Sequence, residues 1–91
     1  ELLPSTAAGV EVSGRVLTPD GRGLRNATVT IIDSMGNRRT ATTGSFGYYQ
    51  FADVEAGGTY TVGVSARRYR FTSRILQVQD TLTDVDFVGQ E

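Results

Sequence analysis

The sequence predicts an all-β domain, a sandwich built from seven short strands. In residues 48–51 and 59–65, large apolar or aromatic side chains occur at every second position. They are Tyr49, Phe51, Tyr60, Val62 and Val64. A period of two residues is typical of an extended strand with one buried and one solvated face. Turn residues recur at intervals of about 8–12 residues and no segment shows a helical period, which together favour two packed sheets.

The strands are predicted in order along the chain, at residues 10–17, 27–33, 38–43, 48–51, 59–66, 71–79 and 84–89. In the first strand the valines at alternate positions fall on one face, and the Pro-Asp-Gly sequence within Thr18–Gly23 then predicts a tight turn. The second strand places Ala27, Val29 and Ile31 on one face, and Ser34–Asn37 joins it as a hairpin to the third. The third strand is polar and rich in threonine, which indicates a sheet edge or an outer face.

The aromatic residues of the fourth and fifth strands are the best candidates for the core. Tyr49 and Phe51 share the apolar face of the fourth strand, so we expect both to be buried. Tyr60 is expected to bury its ring and to donate its hydroxyl proton to a backbone carbonyl, as buried tyrosines usually do. Phe46 and Tyr48 remain open between core packing and an exposed platform on which sugar rings stack.

The second half of the chain continues the pattern. The loop at residues 53–58 joins the fourth and fifth strands, and we expect it to place Val54 in the core. Asp80–Thr83 forms the turn before the last strand, in which Val85 and Phe87 fall on one face.

Histidine, cysteine, lysine and tryptophan are all missing from the 91-residue chain. Without cysteine there is no thiolate nucleophile and no thiolate zinc site, and without histidine there is no imidazole ligand and no ordinary general base near neutral pH. Without lysine there is no Schiff base. The formal net charge of −1 does not indicate a nucleic-acid partner, and no apolar run approaches the roughly 20 residues that cross a bilayer. The composition therefore predicts a protein that is not an enzyme and holds no cofactor or metal.

Three acidic residues near the end of the chain form the first candidate site. Asp84 and Asp86 are two positions apart, so on a strand they share a face at about 7 Å separation. Together with Asp80 they suit weak calcium binding, or a carboxylate pair for glycoside hydrolysis. The alternative is a solvated outer face, which we prefer because a sandwich of this size has little room for a cleft.

The densest positive cluster is the second candidate site. Arg67, Arg68 and Arg70 surround Tyr69 in four consecutive residues. Guanidinium groups in this density suit an acidic glycan, a carboxylate-bearing partner or a membrane surface. The alternative is a charged turn whose arginines pair with nearby acids.

Residues 1–9 form an arm or linker ahead of the domain, which we place at residues 10–91. Leu2, Leu3 and Pro4 are unusually apolar for a free tail. An extended segment of this kind can add to the open sheet edge of a neighbouring copy, with the leucines filling pockets there. The alternative is a plain connection between domains.

Asn26-Ala27-Thr28 matches the acceptor sequence for N-linked glycosylation. It lies between a turn and a strand, where an asparagine is expected to be exposed. The motif is short and common, so chance occurrence is the alternative.

Several segments together resemble the carboxypeptidase regulatory-like domain of bacterial extracellular proteins: Ser13–Val16, Asp20–Val29, Thr42–Phe51, Gly58–Val62 and Asp84–Phe87. The resemblance implies a seven-stranded Greek-key β-sandwich of transthyretin-like (prealbumin-like) topology, and a non-catalytic role. Related pilin and adhesin modules carry a Lys–Asn isopeptide crosslink, which this lysine-free chain cannot form.

These observations predict a non-catalytic structural module of a secreted or cell-surface bacterial protein: a stalk, an adhesin repeat or a filament subunit. The expected partners are copies of itself or adjacent domains, joined by strand addition through the arm, with a glycan as a further candidate. No nucleic-acid partner and no direct membrane insertion are expected. The alternative function is an accessory glycan- or protein-binding module, fused to a secreted hydrolase or to an outer-membrane transporter.

Overall fold

A computed structural model describes residues 9–91 as a two-layer sandwich. It contains the strands β1 (Gly9–Leu17), β2 (Thr28–Ile32), β3 (Arg38–Thr42), β4 (Tyr48–Glu55), β5 (Gly58–Ser65), β6 (Arg74–Val78) and β7 (Phe87–Val88). One sheet has the order β4-β1-β7 and the other the order β3-β2-β5-β6. The predicted all-β, seven-stranded sandwich is therefore confirmed, and the Greek-key connection of its strands stays a prediction.

The core lies between the inner faces of the two sheets, as the alternation of side chains predicted. Its buried residues come from every strand except β3, and the inner face of that edge strand contributes the partly buried Ala41. Tyr49 and Phe51 are buried and meet edge to face, with ring centroids 5.9 Å apart. Tyr60 donates its hydroxyl proton to the carbonyl oxygen of Glu55 at 2.7 Å. The expected roles of these aromatic residues are therefore confirmed.

The bounds of β4 differ from the prediction, which ended this strand at Phe51. β4 continues to Glu55 because it carries a β-bulge, in which residues 52 and 53 lie opposite the single residue Glu11 of β1. Asp53 adopts a φ of 55°, in the left-handed region. The extra residue restores the inward direction of Val54, which is buried as expected, but from a strand rather than from a loop.

Two later strands are shorter than predicted. β6 begins at Arg74 rather than at residue 71, because the preceding backbone is tied to the chain end by an isolated bridge between Arg70 and Gln90. β7 comprises only Phe87–Val88, because residues 81–86 bind β1 through an irregular mixture of backbone and side-chain hydrogen bonds. The period of two therefore placed these strands correctly but did not give their lengths.

Gly14 allows the close approach of another backbone segment. The backbone of Val85, which runs beside β1, lies against it. A methyl group at position 14 would overlap the carbonyl oxygen of Val85, which also accepts a hydrogen bond from the Tyr49 hydroxyl at 2.6 Å. Glycine is therefore required at position 14, where residues 81–89 pass closely beside β1.

The ends of the described chain lie at opposite ends of the sandwich. β1 begins at Gly9, beside Glu55, and its last residue Leu17 accepts a hydrogen bond from the amide of Gly89 at 2.8 Å. The nine residues of β1 span roughly 27 Å at about 3.3 Å per residue. We call the end at Gly9 the amino end and the end at Gly89 the carboxyl end.

Residues 9–91 contain no helix, and therefore none long and apolar enough to cross a membrane.

Candidate functional site

The predicted basic cluster lies at the carboxyl end of the sandwich, between β5 and β6. Arg67 and Arg68 are exposed, while Tyr69 is half-buried against Gly89. These residues line a shallow groove of about 170 Å³ together with Leu24, Arg25, Asn26 and Ala66. The groove therefore combines guanidinium groups at its rim with apolar surface from Leu24, Ala66 and Tyr69.

Arg70 does not belong to this groove. Its backbone exchanges two hydrogen bonds of 2.8 Å with Gln90, and its guanidinium donates to the carbonyl oxygen of Glu91 at 3.3 Å. The structure thus separates Arg70 from Arg67, Arg68 and Tyr69. Its place in the groove is taken by Arg25, which is distant in sequence.

The alternative in which these arginines pair with nearby acids finds no support in the part of the chain described. Within residues 9–91 the only ion pair joins Arg22 and Asp20, at 3.1 Å on the exposed turn after β1. Arg25, Arg67 and Arg68 are therefore available to a carboxylate or sulfate from another molecule.

The buried residue Thr43 fixes the side of this groove, a role that the sequence did not indicate. Its hydroxyl donates to the carbonyl oxygen of Leu24 at 2.6 Å and accepts from the amide of Ala27 at 2.9 Å. The Asn26 amide also donates to the Thr43 carbonyl oxygen at 3.2 Å. Asn26 is exposed with a φ of 63°, a conformation that asparagine tolerates better than most residues. Its glycosylation stays a prediction.

A second groove, of about 180 Å³, lies at the amino end of the sandwich and has the opposite charge. Its charged lining consists of Asp33, Asp53 and Glu55 with the single arginine Arg39. Hydrogen bonds from Asn37 hold the pKa of the Asp33 carboxyl below its usual range, so this group stays ionised in mildly acidic solution. The sandwich therefore has a basic groove at one end and a mainly acidic groove at the other.

The acidic residues near the chain end do not form a metal site in the part of the chain described. No group of three or more acidic, histidine or cysteine side chains with ligating potential occurs in residues 9–91. Asp80, Asp84 and Asp86 are all exposed, and a carboxylate oxygen of Asp86 accepts a hydrogen bond from the Arg15 amide at 2.9 Å. Asp86 is thus used to hold residues 81–89 against β1.

Phe46 and Tyr48, which the sequence left open, are 70% and 61% exposed. Tyr48 lies on the outer face of β4, and Phe46 lies in the turn before that strand. The guanidinium of Arg15 lies 5.0 Å from the Tyr48 ring centroid, and its Nε donates to the Phe46 carbonyl oxygen at 2.8 Å. One face of the Tyr48 ring is therefore already covered, which leaves Phe46 as the more accessible aromatic surface.

Leu2, Leu3 and Pro4, the predicted assembly residues of the arm, lie outside the described residues.

The fold and these sites define an all-β sandwich domain with two charged end grooves. The chain belongs to the carboxypeptidase regulatory-like domain family, whose family model matches residues 11–89. Among solved structures it is similar to the TIE protein of Bacillus anthracis, with a TM-score of 0.70 and 12% sequence identity, covering 90% of this chain and 17% of that one. It is also similar to a C-terminal fragment of the pilus adhesin SpaC from Lactobacillus rhamnosus GG. That likeness has a TM-score of 0.64 and 14% identity, covering 93% of this chain and 47% of that one.

The chain thus spans less than half the length of either similar structure. No curated protein matches it. The likenesses to solved structures establish the fold, and the family match establishes the membership predicted from the sequence segments.

Proposed function

We propose that this chain is a non-catalytic structural module of a bacterial extracellular or cell-surface protein, acting as a stalk or spacer between neighbouring domains. The observation that carries this proposal is the placement of Gly9 and Gly89 at opposite ends of the sandwich. A module with its ends so placed adds its own length, roughly 27 Å along β1, to a row of domains. A module with adjacent ends would add a side branch instead.

The interior of the sandwich also supports a structural role. Within residues 9–91 every buried side-chain nitrogen or oxygen has a hydrogen-bond partner. The sequence offers no cysteine, histidine or lysine for nucleophilic or acid–base chemistry. One similar structure comes from a pilus adhesin, a class of protein that is displayed outside the cell.

The partners that we propose are copies of this chain or adjacent domains that meet it end to end. Arg25, Arg67 and Arg68 at the carboxyl end complement the acidic groove at the amino end, so two copies stacked head to tail place opposite charges together. Covalent linkage raises the effective concentration of such a contact to the millimolar range, which lets weak contacts form. Strand addition by Leu2, Leu3 and Pro4 is the second part of this proposal.

Small-angle scattering on one, two and three copies joined in tandem tests the spacer role. The maximum dimension should rise by a constant step per copy, roughly 27 Å plus the connection. A maximum dimension that hardly grows between two and three copies would show side-by-side packing and refute the proposal. An antibody against the chain should also stain intact cells of the source organism, and staining only after lysis would refute the surface location.

Charge exchange tests the end-to-end contact. The paired change Arg67→Glu and Arg68→Glu should weaken the contact between neighbouring copies in the tandem, and Glu55→Arg in the same protein should restore part of that contact. The single change Thr40→Glu, on an exposed position of the edge strand β3 outside both grooves, is the control. If deletion of residues 1–8 leaves the oligomer size unchanged, the arm has no role in assembly.

A second function, an accessory binding module, is favoured by the groove at the carboxyl end. Guanidinium groups without acidic partners in the described chain, above an apolar floor, suit a polysaccharide that contains uronic acid. Calorimetric titration with polygalacturonate should give heat that Arg67→Ala and Arg68→Ala abolish and that Arg38→Ala, an exposed position of β3 outside both grooves, leaves unchanged. Absence of heat with the unmodified chain would exclude this reading.

A further inference from the structure

Residues 81–89 run beside β1 in the same direction along most of its length. Val12 pairs with Leu82, Val16 with Phe87 and Leu17 with Val88, all in parallel. The first and last segments of the described chain are therefore direct neighbours.

Backbone hydrogen bonds join the two segments at both ends and in the middle. They comprise Leu82 N to Glu11 O at 2.9 Å, Ser13 N to Leu82 O at 2.8 Å, Val85 N to Ser13 O at 3.1 Å and Gly89 N to Leu17 O at 2.8 Å. Their spread along β1 means that the last segment is fixed at several separate points, and not only at the short strand β7.

Side chains of β4 and of residues 81–89 themselves add further links that hold this last segment in place. The Asp86 carboxylate accepts from the Arg15 amide at 2.9 Å, and the Tyr49 hydroxyl ties the Val85 carbonyl oxygen to β4 at 2.6 Å. Gly14 lets this backbone come close, because a side chain there would overlap the Val85 carbonyl. We call β1 together with residues 81–89 the terminal clamp.

We infer that the terminal clamp resists mechanical stretching of the chain. Tension on the amino-terminal side pulls β1 toward the amino end, and tension beyond Glu91 pulls residues 81–89 toward the carboxyl end. Because the two segments are parallel, these forces slide one along the other, and the transverse hydrogen bonds must break together. This inference rests on the proposed spacer function, since only a chain under tension uses such a clamp.

The clamp also offers a physical substitute for a covalent crosslink. The lysine-free sequence cannot form an isopeptide bond between its strands. Resistance to force in this chain therefore depends on the rate at which the hydrogen-bonded clamp opens, because forced unfolding follows the unfolding rate rather than the equilibrium stability.

Single-molecule force measurement on the full chain tests the inference by changing the direction of pulling. Handles ahead of Glu1 and after Glu91 load the clamp in shear. Since the chain has no cysteine, Arg22→Cys gives one unique attachment point on the exposed turn after β1. Pulling between residue 22 and the chain end peels the same segments apart from the carboxyl end, one hydrogen bond at a time. The shear geometry should require roughly twofold or more force than the peeling geometry at equal loading rate.

A matched pair of variants identifies the residues responsible. Asp86→Ala removes the acceptor of the Arg15 amide, whereas Asp84→Ala removes an exposed carboxylate for which no side-chain hydrogen bond occurs within residues 9–91. Asp86→Ala should lower the shear-to-peel force ratio, and Asp84→Ala should leave it unchanged. A general loss of stability would lower both forces and leave the ratio intact, so the ratio reports on the clamp alone.

Equal forces in the two geometries for the unmodified chain would overturn the inference, as would an unchanged ratio in Asp86→Ala. Neither result depends on where the protein is located or on the length of a tandem array. Conversely, a high shear force in a chain that fails the scattering or staining tests would keep the clamp and refute the spacer function.

Discussion

The buried hydroxyl of Thr43 provides the sharpest test of how the basic groove is held in shape. Thr43 is 3% exposed, and its hydroxyl satisfies both the Leu24 carbonyl and the Ala27 amide. Thr43→Val keeps the shape of the side chain but leaves both backbone groups without this partner. The hydrogen bond to the Ala27 amide is the fully buried one of the two, and one unpaired buried polar group costs about 1–3 kcal/mol, so a loss of at least about 2 kcal/mol in the free energy of unfolding is expected. In a domain of this size that loss lowers Tm by about 8–16 °C.

Thermal and urea unfolding, followed by far-ultraviolet circular dichroism, measure this loss. Thr42→Val is the matched control, because Thr42 is the exposed neighbour on β3 and its replacement should change stability by no more than about 0.5 kcal/mol. Thr43→Ser keeps the hydroxyl and should recover most of the stability. If Thr43→Val costs no more than Thr42→Val, the hydroxyl does not fix the groove and the reasoning is refuted.

Three further outcomes are expected. Gly14→Ala should destabilise the fold by about 1–3 kcal/mol in urea unfolding, because the added methyl group overlaps the Val85 carbonyl oxygen. Gly44→Ala is the control and should be nearly neutral, since a methyl group there contacts nothing. Equal effects of the two changes would contradict this prediction. Burial raises the pKa of Tyr49 above 10.0, so the folded chain keeps that proton longer than the unfolded chain, and stability should fall as the pH rises above about 10. Tyr49→Phe should weaken that fall, and an unchanged pH profile would contradict the assignment. Hydrogen bonds from Asn37 lower the pKa of Asp33, so the stabilisation that they give is present above about pH 4 and is lost on acidification. When the free energy of unfolding in urea is plotted against pH, Asn37→Ala should therefore reduce the fall at acidic pH. An unchanged fall in this variant would count against the assignment.

The alternation of side chains was sufficient to predict the architecture and much of the core. The buried face of β1 and the burial of Tyr49 and Phe51 follow from a period of two with one apolar face, whereas the edge position of β3 was indicated by its polar, threonine-rich sequence. The hydroxyl contact of Tyr60 followed from the chemistry of a buried phenol. These features are local, so a single sequence carries the information for them.

Features that depend on distant segments were not predictable in the same way. Nothing near Arg67 in the sequence indicates that Arg25 joins its groove or that Arg70 turns toward Gln90. The short length of β7 follows from the Asp86 carboxylate taking a backbone hydrogen bond, which interrupts the regular ladder. Such pairings are set by the packing of the whole domain, and the alternation of side chains within a strand does not predict them.

The adjacency of the first and last segments also governs how the protein reaches its native state. Glu11 and Thr81 are hydrogen-bonded across a separation of 70 residues, so β1 cannot gain its second neighbour until residues 81–89 have been synthesised. Closing so long a loop early costs entropy before any contact offsets it, and topologies of this kind fold on the order of milliseconds to seconds. A nascent polypeptide of this sequence therefore cannot complete the β4-β1-β7 sheet until residues 81–89 have been made, although the strands that precede them are already available.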